Sequence, residues 1–342
     1  MKNVVWKKSL ALALGAVLVT GTALTGCGST SGITESAATD ESGIEGETYK
    51  VTYIASSMSD AFGAWLANTT VEIAEEKYPN LKITVVDQQN DTTKGPELLE
   101  NALNSGVDGI IYHKTGDADT SNYLKEAKED GIPVVQVNLP VDNDEDASSV
   151  LCDEYQLGYL IGQTAAEELP ENANVVILNG YPGHNPTIKR REGFEDGLFK
   201  TRTDVTLLDE QTANWSKDEA MQKMDDWLQV YDRIDGVLAE NDSMALGAYE
   251  SAKANGYDLD TIKFYGVDGL ADACLAIKAG EETASALQDA NTMAELALDI
   301  LVQNLENGSV ECVHKEFAPT LINAENVDEW IEVHKENGLI KE

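Results

Sequence analysis

The stretch that decides the fold is GVLAENDSMALGAYESAKANGYDLDTIKFYGVDG, residues 236–269. It opens with a short apolar run at 236–239, continues through an Ala-rich amphipathic segment at 244–255, and closes with a second apolar run at 264–267. This pattern predicts a strand, a loop, a helix and a strand, and two strands joined by a helical crossover pair in parallel. The carboxyl ends of such strands lie on one edge of the sheet, where ligands bind.

Polar residues stand at both of these strand ends. Asn241 and Asp242 follow the first strand, and Asp268 follows the second. Side chains on adjacent strand ends can converge on one small polar molecule. The alternative is that Asn241 or Asp242 only caps the helix that begins near Ser243. We expect Asp242 to be the cap, whereas Asn241 and Asp268 remain open between the two roles.

The same alternation of strands and helices runs through most of the chain. It starts near residue 50, pauses at an acidic loop at 142–146, and then restarts. The fold class predicted is α/β, with two doubly wound, Rossmann-like lobes, a hinge of three crossings and a ligand cleft between the lobes. The expected boundaries are 49–140 plus 289–318 for the N-terminal lobe, and 141–288 plus 319–342 for the C-terminal lobe. We expect the hinge near residues 138–153, 288 and 318–321, and the helix around Trp330 on the second lobe.

The first residues have the pattern of an export signal. Three lysines within the first eight residues precede an apolar run at 10–19, and the sequence LTGC follows at 24–27. This pattern predicts a signal peptide at 1–26, and its end resembles the bacterial lipobox, in which the cysteine, here Cys27, is lipidated. An ordinary signal peptide with an incidental cysteine is the alternative. Residues 27–48 are rich in small and polar residues, which predicts a flexible tether. We expect an extracytoplasmic protein, lipid-anchored on the outer face of the cytoplasmic membrane.

The charge of the chain excludes several classes of partner. The formal net charge is −37 at pH 7, whereas nucleic-acid binding needs a basic surface. The same acidity argues against binding along an anionic membrane surface. A DNA-binding regulator would need a basic helix-turn-helix before the first strand, and the tether occupies that place.

The sequence also argues against an enzyme. It has no Gly-x-Ser-x-Gly, no His-Glu-x-x-His and no P-loop, and its four histidines are scattered at 113, 184, 314 and 334. Hydrolysis would need a nucleophile, a base and an orienting group together. Cys152, Cys274 and Cys312 have no zinc-type spacing, so we expect free thiols, and one disulfide remains an alternative.

The predicted strand ends carry a recurring set of polar side chains. These are Asp60, Asn138, His184 with Asn185, Asn241, Asp268 and Gln288. Phe62 and Trp215 stand in loops of the same kind. Acids and amides bind hydroxyl groups, and a flat ring covers the apolar face of a sugar, so the set suits a neutral polyhydroxylated ligand. Singly, Phe62 could be core, Trp215 could pack on a helix start, and Asp60 could be a cap.

Several short motifs resemble those of the periplasmic-binding-protein type I sugar receptors of ABC transporters. NDSMALGA at 241–248 and GVDG at 266–269 resemble motifs of this family. The resemblance covers nearly the whole mature chain. DAF at 60–62, PGH at 182–184, KMDDWL at 223–228 after Trp215, and LQDAN at 287–291 resemble the galactose/glucose-binding branch. Arg190 stands at the spacing of that branch's sugar-binding arginine, although it could also be a solvated helix start.

The resemblance implies a role for each site residue. Phe62 and Trp215 would enclose the sugar ring. The side chains implied to bind its hydroxyls are Asp60, Asn138, His184, Arg190, Asn241, Asp268 and Gln288. The implied partners are a monosaccharide of the galactose/glucose type and an ABC transporter permease, with a chemoreceptor as a further candidate. We expect a monomer without a cofactor or a bound metal.

The sequence departs from the galactose/glucose branch at several positions. Pro186 replaces an aspartate, Leu139 replaces a lysine, Gln288 replaces an asparagine, and the calcium loop is missing, so we expect no structural calcium. A pentose, an inositol or a sugar acid is therefore the alternative ligand, and the pair His113-Lys114 hints at an acidic or modified sugar. A nucleoside-binding lipoprotein and a carbohydrate-active enzyme are more distant alternatives.

Overall fold

The computed structural model describes residues 48–116, 118–139 and 145–341. The predicted signal peptide, Cys27 and all but the last residue of the predicted tether lie outside the described residues. Residues 142–144 of the predicted acidic loop also lie outside them. The described chain folds into two α/β lobes, each built on one six-stranded sheet.

The first lobe is built on an all-parallel sheet. Its strands in chain order are β1 (Tyr49–Ala55), β2 (Leu81–Asp87), β3 (Gly109–Tyr112), β4 (Val134–Val137), β5 (Ser148–Cys152) and β11 (His314–Phe317). They lie side by side in the order β11-β5-β4-β3-β1-β2. The helices that pack on this sheet are α1 (Ala61–Lys77), α2 (Lys94–Asn104), α3 (Ser121–Glu129) and α9 (Ala290–Asn307).

The second lobe repeats this plan with one antiparallel edge strand. Its strands are β6 (Asn174–Asn179), β7 (Thr206–Thr212), β8 (Gly236–Ala239), β9 (Lys263–Asp268), β10 (Ala284–Leu287) and β12 (Thr320–Asn323). Their order is β12-β10-β9-β8-β6-β7, with β12 antiparallel to β10. The helices are α4 (Glu154–Glu168), α5 (Asn185–Phe194), which continues as a π-helical turn at Glu195–Phe199, α6 (Lys217–Val230), α7 (Asp242–Ala254), α8 (Ala271–Ala279) and α10 (Val327–Glu336). A short 3₁₀ turn spans Leu259–Thr261.

Both sheets are covered on both faces, which explains the continuous apolar runs in their strands. In β3, Ile111 packs with residues of α1 and α9, whereas Ile110 and Tyr112 pack on the opposite face with Leu99 and Leu124. Successive side chains of a strand point to opposite faces, so a strand buried on both sides is apolar throughout. The runs at 236–239 and 264–267, which predicted parallel strands, form β8 and β9 and pair in parallel.

The chain crosses between the lobes three times. It passes from β5 to the second lobe at Asp153, returns between β10 and α9, and crosses again between β11 and β12. The expected lobe boundary after residue 140 was placed too early, because residues 148–152 pair in parallel with β4 and β11 in the first sheet. This strand was missed because no helix separates it from β4, and the acidic run before it looked like a linker. The helix around Trp330, α10, packs against α8 and β12, as expected.

Three further features bear on the chemistry of the chain. Cys152 and Cys274 are buried free thiols, and the Cys312 thiol donates to the Glu145 backbone oxygen at 3.1 Å. Within residues 48–341, apart from the two undescribed gaps, no helix is long and apolar enough to cross a membrane. The same part of the chain contains no group of three or more His, Cys, Asp or Glu side chains placed to hold a metal ion.

Candidate functional site

A cavity lies between the two lobes, lined by residues that follow the strands of both sheets. Its empty volume, including the open mouth, is about 570 Å³. The structure brings all nine sequence-predicted binding residues to its wall: Asp60, Phe62, Asn138, His184, Arg190, Trp215, Asn241, Asp268 and Gln288. The first three come from the first lobe and the next five from the second, while Gln288 lies at the second crossing. This convergence is expected when the carboxyl ends of the parallel strands of two sheets face each other.

The first-lobe wall places a carboxylate beside an aromatic ring. Asp60 is the N-cap of α1, and its Oδ1 accepts a hydrogen bond from the Gly63 backbone N–H at 2.7 Å. It therefore caps a helix and lines the cavity at once. Phe62 is buried, and its ring meets the His113 imidazole edge to face, with 6.3 Å between the ring centroids. The ring thus belongs to the core and to the cavity wall together.

Arg190 lies buried beneath the second-lobe wall and is not at a solvated helix start. Its Nε donates to Glu154 Oε2 at 2.7 Å, and the two side chains are 3% and 6% exposed. Its Nη1 donates to the backbone oxygen of Glu240 at 2.5 Å and lies 3.5 Å from Asp268 Oδ1. These partners on three different segments fix the guanidinium in one orientation.

Asp268 reaches the cavity from an unusual backbone conformation. Its φ is +117°, a region that non-glycine residues rarely adopt. Three hydrogen bonds hold this turn: Asp242 Oδ2 accepts from the Leu270 N–H at 2.8 Å, Ser285 Oγ accepts from the Gly269 N–H at 3.0 Å, and Ser285 Oγ donates to Asp242 Oδ1 at 2.5 Å. Asp242 and Ser285 do not line the cavity, so the strained conformation is stabilised by residues outside it.

The expected cap of α7 was wrong by one residue. Asn241 is the N-cap, because its Oδ1 accepts from the Met244 N–H at 3.0 Å. Asp242 is fully buried and instead holds the Gly269–Leu270 turn described above. Sequence could not separate the two, since both residue types are favoured caps. The donors that engage Asp242 come from the turn after β9 and from Ser285 on β10.

Trp215 forms a flat part of the wall next to Arg190. Its indole packs against Gly180, where a Cβ atom would lie 2.0 Å from the ring. The Arg190 Cζ is 5.5 Å from the centroid of the ring, a cation–π distance. Asn241 Nδ2 donates to the Trp215 backbone oxygen at 3.3 Å. Asn241 therefore shapes the wall through two internal bonds, and its contact with a ligand stays a prediction.

Burial governs the protonation of the carboxyl groups around Arg190. Burial raises the pKa of Asp268 well above its usual value, although the Arg190 charge opposes this shift. Burial also raises the pKa of Glu240 to about 8. The pKa of Arg190 would be lowered by burial alone, but the nearby Glu154 and Asp268 raise it, so the guanidinium stays charged. The site thus holds a fixed cation among carboxyl groups.

Two side-chain oxygens on the wall are acceptors without a partner. Asn138 Oδ1 and Gln288 Oε1 are buried and accept no hydrogen bond from any described residue. The amide nitrogens of both residues are engaged, that of Asn138 with His113 at 3.1 Å and that of Gln288 with Asp268 at 2.7 Å. Buried polar groups are nearly always hydrogen-bonded. The wall is therefore suited to a molecule that donates several hydrogen bonds.

Five further residues that line the cavity were not predicted from the sequence: Ser56, Asn90, Thr115, Gly116 and Tyr181. Four of them, Ser56, Asn90, Thr115 and Tyr181, follow a strand by one to three residues, so their position along the chain was the available signal. The pair His113-Lys114 and the two departures Leu139 and Pro186 also line the cavity.

A two-lobed α/β fold with a polar and aromatic cavity between the lobes defines a ligand-binding protein that holds small solutes. Residues 51–309 match the family model described as a periplasmic binding protein domain. The chain belongs to the periplasmic binding protein family.

Individual relatives extend over most of the chain. A xylitol-binding protein of Mycolicibacterium smegmatis is 31% identical over 75% of this chain and 72% of its own length. The ribose import binding protein of Bacillus subtilis is 30% identical over 66% of this chain and 72% of its own. The crystal structure of the Caulobacter myo-inositol binding protein bound to myo-inositol is 26% identical, with a TM-score of 0.77 over 84% of this chain and 97% of that one. This protein is thus similar to binding proteins and not to enzymes.

Proposed function

We propose that the chain is the extracytoplasmic solute-binding component of an ABC importer, and that it binds a monosaccharide or a related polyol between its lobes. The observation that carries the proposal is the convergence of the nine predicted residues from both lobes on one cavity. Its carboxylates and amide oxygens accept hydrogen bonds from hydroxyls, while Phe62 and Trp215 suit the C–H face of a small ring. The ligand-binding roles of these nine residues are part of the proposal.

Within this class, the proposed ligand is a pentose, a pentitol or an inositol and not galactose or glucose. The names of the relatives, for xylitol, ribose and myo-inositol, support this choice. Pro186 and Leu139 support it as well, because they line the cavity where the galactose/glucose branch has hydrogen-bonding side chains. A sugar acid is a second candidate, favoured by Lys114, which is 4% exposed and lines the cavity.

Binding would act through closure of the lobes. A ligand that contacts Asp60 and Asn138 on one lobe and Arg190 and Asp268 on the other stabilises the closed arrangement over the open one. Micromolar affinity corresponds to roughly −8 kcal/mol, which is enough to populate closure when most contacts form only there. The closed monomer would then present its outer faces to the permease, and a chemoreceptor is a further proposed reader of that form.

We also propose that the protein is a lipoprotein anchored through Cys27. The support is the lysine-rich start, the apolar run at 10–19 and LTGC at 24–27. Expression of the full chain in a bacterium with wild-type Cys27 or Cys27→Ser tests this. The wild-type protein should sediment with membranes and carry a lipid by mass spectrometry, whereas Cys27→Ser should be released. Equal release of both proteins would exclude the anchor.

The experiment that tests the binding function is isothermal titration of the purified protein with a panel of solutes. The panel contains ribose, xylose, xylitol, myo-inositol, galacturonate, glucose, galactose and adenosine. We expect micromolar binding of a pentose, a pentitol or myo-inositol, strongly weakened by Trp215→Ala and by Asp60→Ala. Tight binding of galactose or glucose alone would overturn the choice of ligand, and tight binding of adenosine alone would overturn the sugar class.

A further inference from the structure

His113 bridges two polar residues of the first-lobe wall. Its Nδ1 is 3.3 Å from Ser56 Oγ, and its Nε2 is 3.1 Å from Asn138 Nδ2. The imidazole is 3% exposed, and the Phe62 ring packs edge to face against it. All three polar side chains line the cavity. They form a hydrogen-bonded row from the loop after β1 to the end of β4.

The orientation of the Asn138 amide, with Nδ2 toward His113 Nε2, assigns one tautomer to this row. An amide nitrogen only donates, so the Nε2 that faces Asn138 Nδ2 is the accepting nitrogen of a neutral imidazole. The imidazole proton is then on Nδ1 and is donated to Ser56 Oγ. Burial keeps the ring neutral, since it lowers the pKa of His113 to about 4. The hydroxyl proton of Ser56 can therefore be donated into the cavity.

We propose that His113 is a positioning residue that determines specificity: it holds the Asn138 amide with its oxygen toward the ligand, and so selects a ligand hydroxyl that donates at this point. The inference rests on the proposed polyol-binding function. The backbone of Asn138 is fixed, at a φ of +70° and with its N–H bonded to the Val150 oxygen at 3.1 Å. Rotation of the amide group is therefore what exchanges oxygen for nitrogen on the cavity wall.

The partnerless acceptor on this wall is the direct consequence. Asn138 Oδ1 is buried and bonds to no described residue, whereas the nitrogen of the same amide is engaged by His113. Without the imidazole, the two orientations of the amide have nearly the same shape, and the group can donate or accept as the ligand requires. His113 thus converts an ambivalent amide into an acceptor.

Deoxyfluoro analogues test this conversion, because fluorine replaces a hydroxyl with little change in size but cannot donate. The probes are ribose and myo-inositol, each with its series of monodeoxyfluoro analogues, titrated into the wild-type protein and His113→Phe. We expect one hydroxyl position at which wild type disfavours fluorine by on the order of tenfold, the cost of leaving a buried acceptor unpaired. In His113→Phe this discrimination should shrink severalfold at that position alone. His314→Phe, an exposed histidine on β11 outside the cavity, is the control and should leave it unchanged.

Asn138→Asp gives a second test that does not depend on the folding of the His113 variant. A carboxylate can only accept, so in this variant the His113 proton moves to Nε2, Ser56 donates to Nδ1, and the second carboxylate oxygen still accepts from the ligand. The variant should keep binding the parent polyol and keep disfavouring the same fluoro analogue. Loss of parent binding by a hundredfold or more would show that the amide presents its N–H to the ligand, and would overturn the proposal. ¹⁵N shifts of the His113 ring in the wild-type protein give a readout without ligand. They should show the proton on Nδ1, and a proton on Nε2 would also overturn the proposal.

The outcomes separate this inference from the function on which it rests. If wild type binds neither ribose nor myo-inositol nor any of their analogues, the proposed ligand class fails and the inference fails with it. If wild type binds and discriminates, but His113→Phe discriminates equally well, the inference alone fails.

Discussion

The Nε of Arg190 donates to Glu154 Oε2 at 2.7 Å, and Glu154 is the first residue of α4, directly after the crossing at Asp153. The cation of the cavity is therefore anchored at a point where the chain passes between the lobes. Breaking a buried ion pair leaves an uncompensated charge, which costs far more than the loss of a surface pair. The pair thus connects the geometry of the hinge with that of the cavity.

Removing Glu154 should therefore affect stability and binding together. We expect Glu154→Ala to lower the free energy of unfolding by about 3–5 kcal/mol and to weaken sugar binding at least tenfold. Urea denaturation and isothermal titration measure the two effects. The control is Glu192→Ala, which removes a pair with Lys189 of the same 2.7 Å length whose side chains are 43% and 51% exposed. This control should cost less than about 1 kcal/mol, and equal losses in both variants would contradict the argument.

Closure of the lobes should depend on Gly116. A Cβ atom on this first-lobe residue would lie 2.6 Å from Thr92 Cγ2 and 3.2 Å from Nε2 of His184 on the second lobe. Gly116→Ala should therefore oppose the closed arrangement, weaken binding severalfold, and reduce the ligand-induced fall in radius of gyration measured by X-ray scattering. Gly106→Ala is the matched control, because Gly106 has a φ of +70°, close to the +59° of Gly116. A Cβ atom at Gly106 would have no neighbouring atom within 4 Å. If both variants bind alike, backbone strain and not closure explains the effect.

Much of the architecture could be predicted from the chain because parallel strands buried on both faces leave a strong pattern. The repeat of apolar run, polar loop and amphipathic helix placed every candidate residue except Arg190 after a strand, and parallel pairing brought those ends together. Ser148–Cys152 escaped because it joins the sheet without a helical crossover. Arg190 was selected by resemblance alone, since KRR at 189–191 looks like a solvated run and only the carboxylates from distant segments show that it is buried.

The residues that support the site were harder to predict than those that line it. Ser285 lies in the interior of β10 and looks like a core position, yet it holds the turn after Asp268. His113 was noticed only as an unusual residue at a strand end, and its two partners come from segments 57 and 25 residues away. Such roles depend on contacts between distant segments, which local periodicity does not record.

Ser285 should support binding through the conformation of Asp268. Ser285→Ala leaves the Gly269 N–H unpaired and removes a partner of Asp242, which should cost about 1–3 kcal/mol of unfolding free energy. It should also weaken binding, because Asp268 can relax from its φ of +117°. Ser251→Ala, on α7, removes a similarly buried hydroxyl that is bonded to Asp225 at 2.6 Å. This variant should lower stability without changing affinity. A loss of affinity in both variants would assign the effect to general destabilisation.

The stability of the fold should fall as pH rises from about 4 to about 7, in part because of two carboxyl groups buried side by side. A Cβ atom at Gly266 would lie 2.3 Å from Asp242 Oδ1 and 2.4 Å from Glu282 Oε1, so these oxygens border the same point. Burial raises the pKa of Asp242 from 3.8 to about 7. Burial and the charge of Asp242 raise the pKa of Glu282 well above its usual value.

The sign of the effect follows from proton binding. Between about pH 4 and pH 7 the folded chain holds protons that the unfolded chain has released, so the free energy of unfolding decreases as pH rises through that window. Lowered histidine pKa values act in the opposite direction, and only below about pH 6.5. Urea denaturation at about pH 5 and about pH 8 should therefore give the lower stability at pH 8.

Glu282→Gln should reduce this difference, because it removes one of the two neighbouring buried acids. Glu281→Gln, at the neighbouring position, should not, since a hydrogen bond from Lys253 already lowers the pKa of Glu281 and it stays ionised throughout the range. An unchanged difference in Glu282→Gln would show that Asp242 and Glu282 do not share a proton in the folded protein.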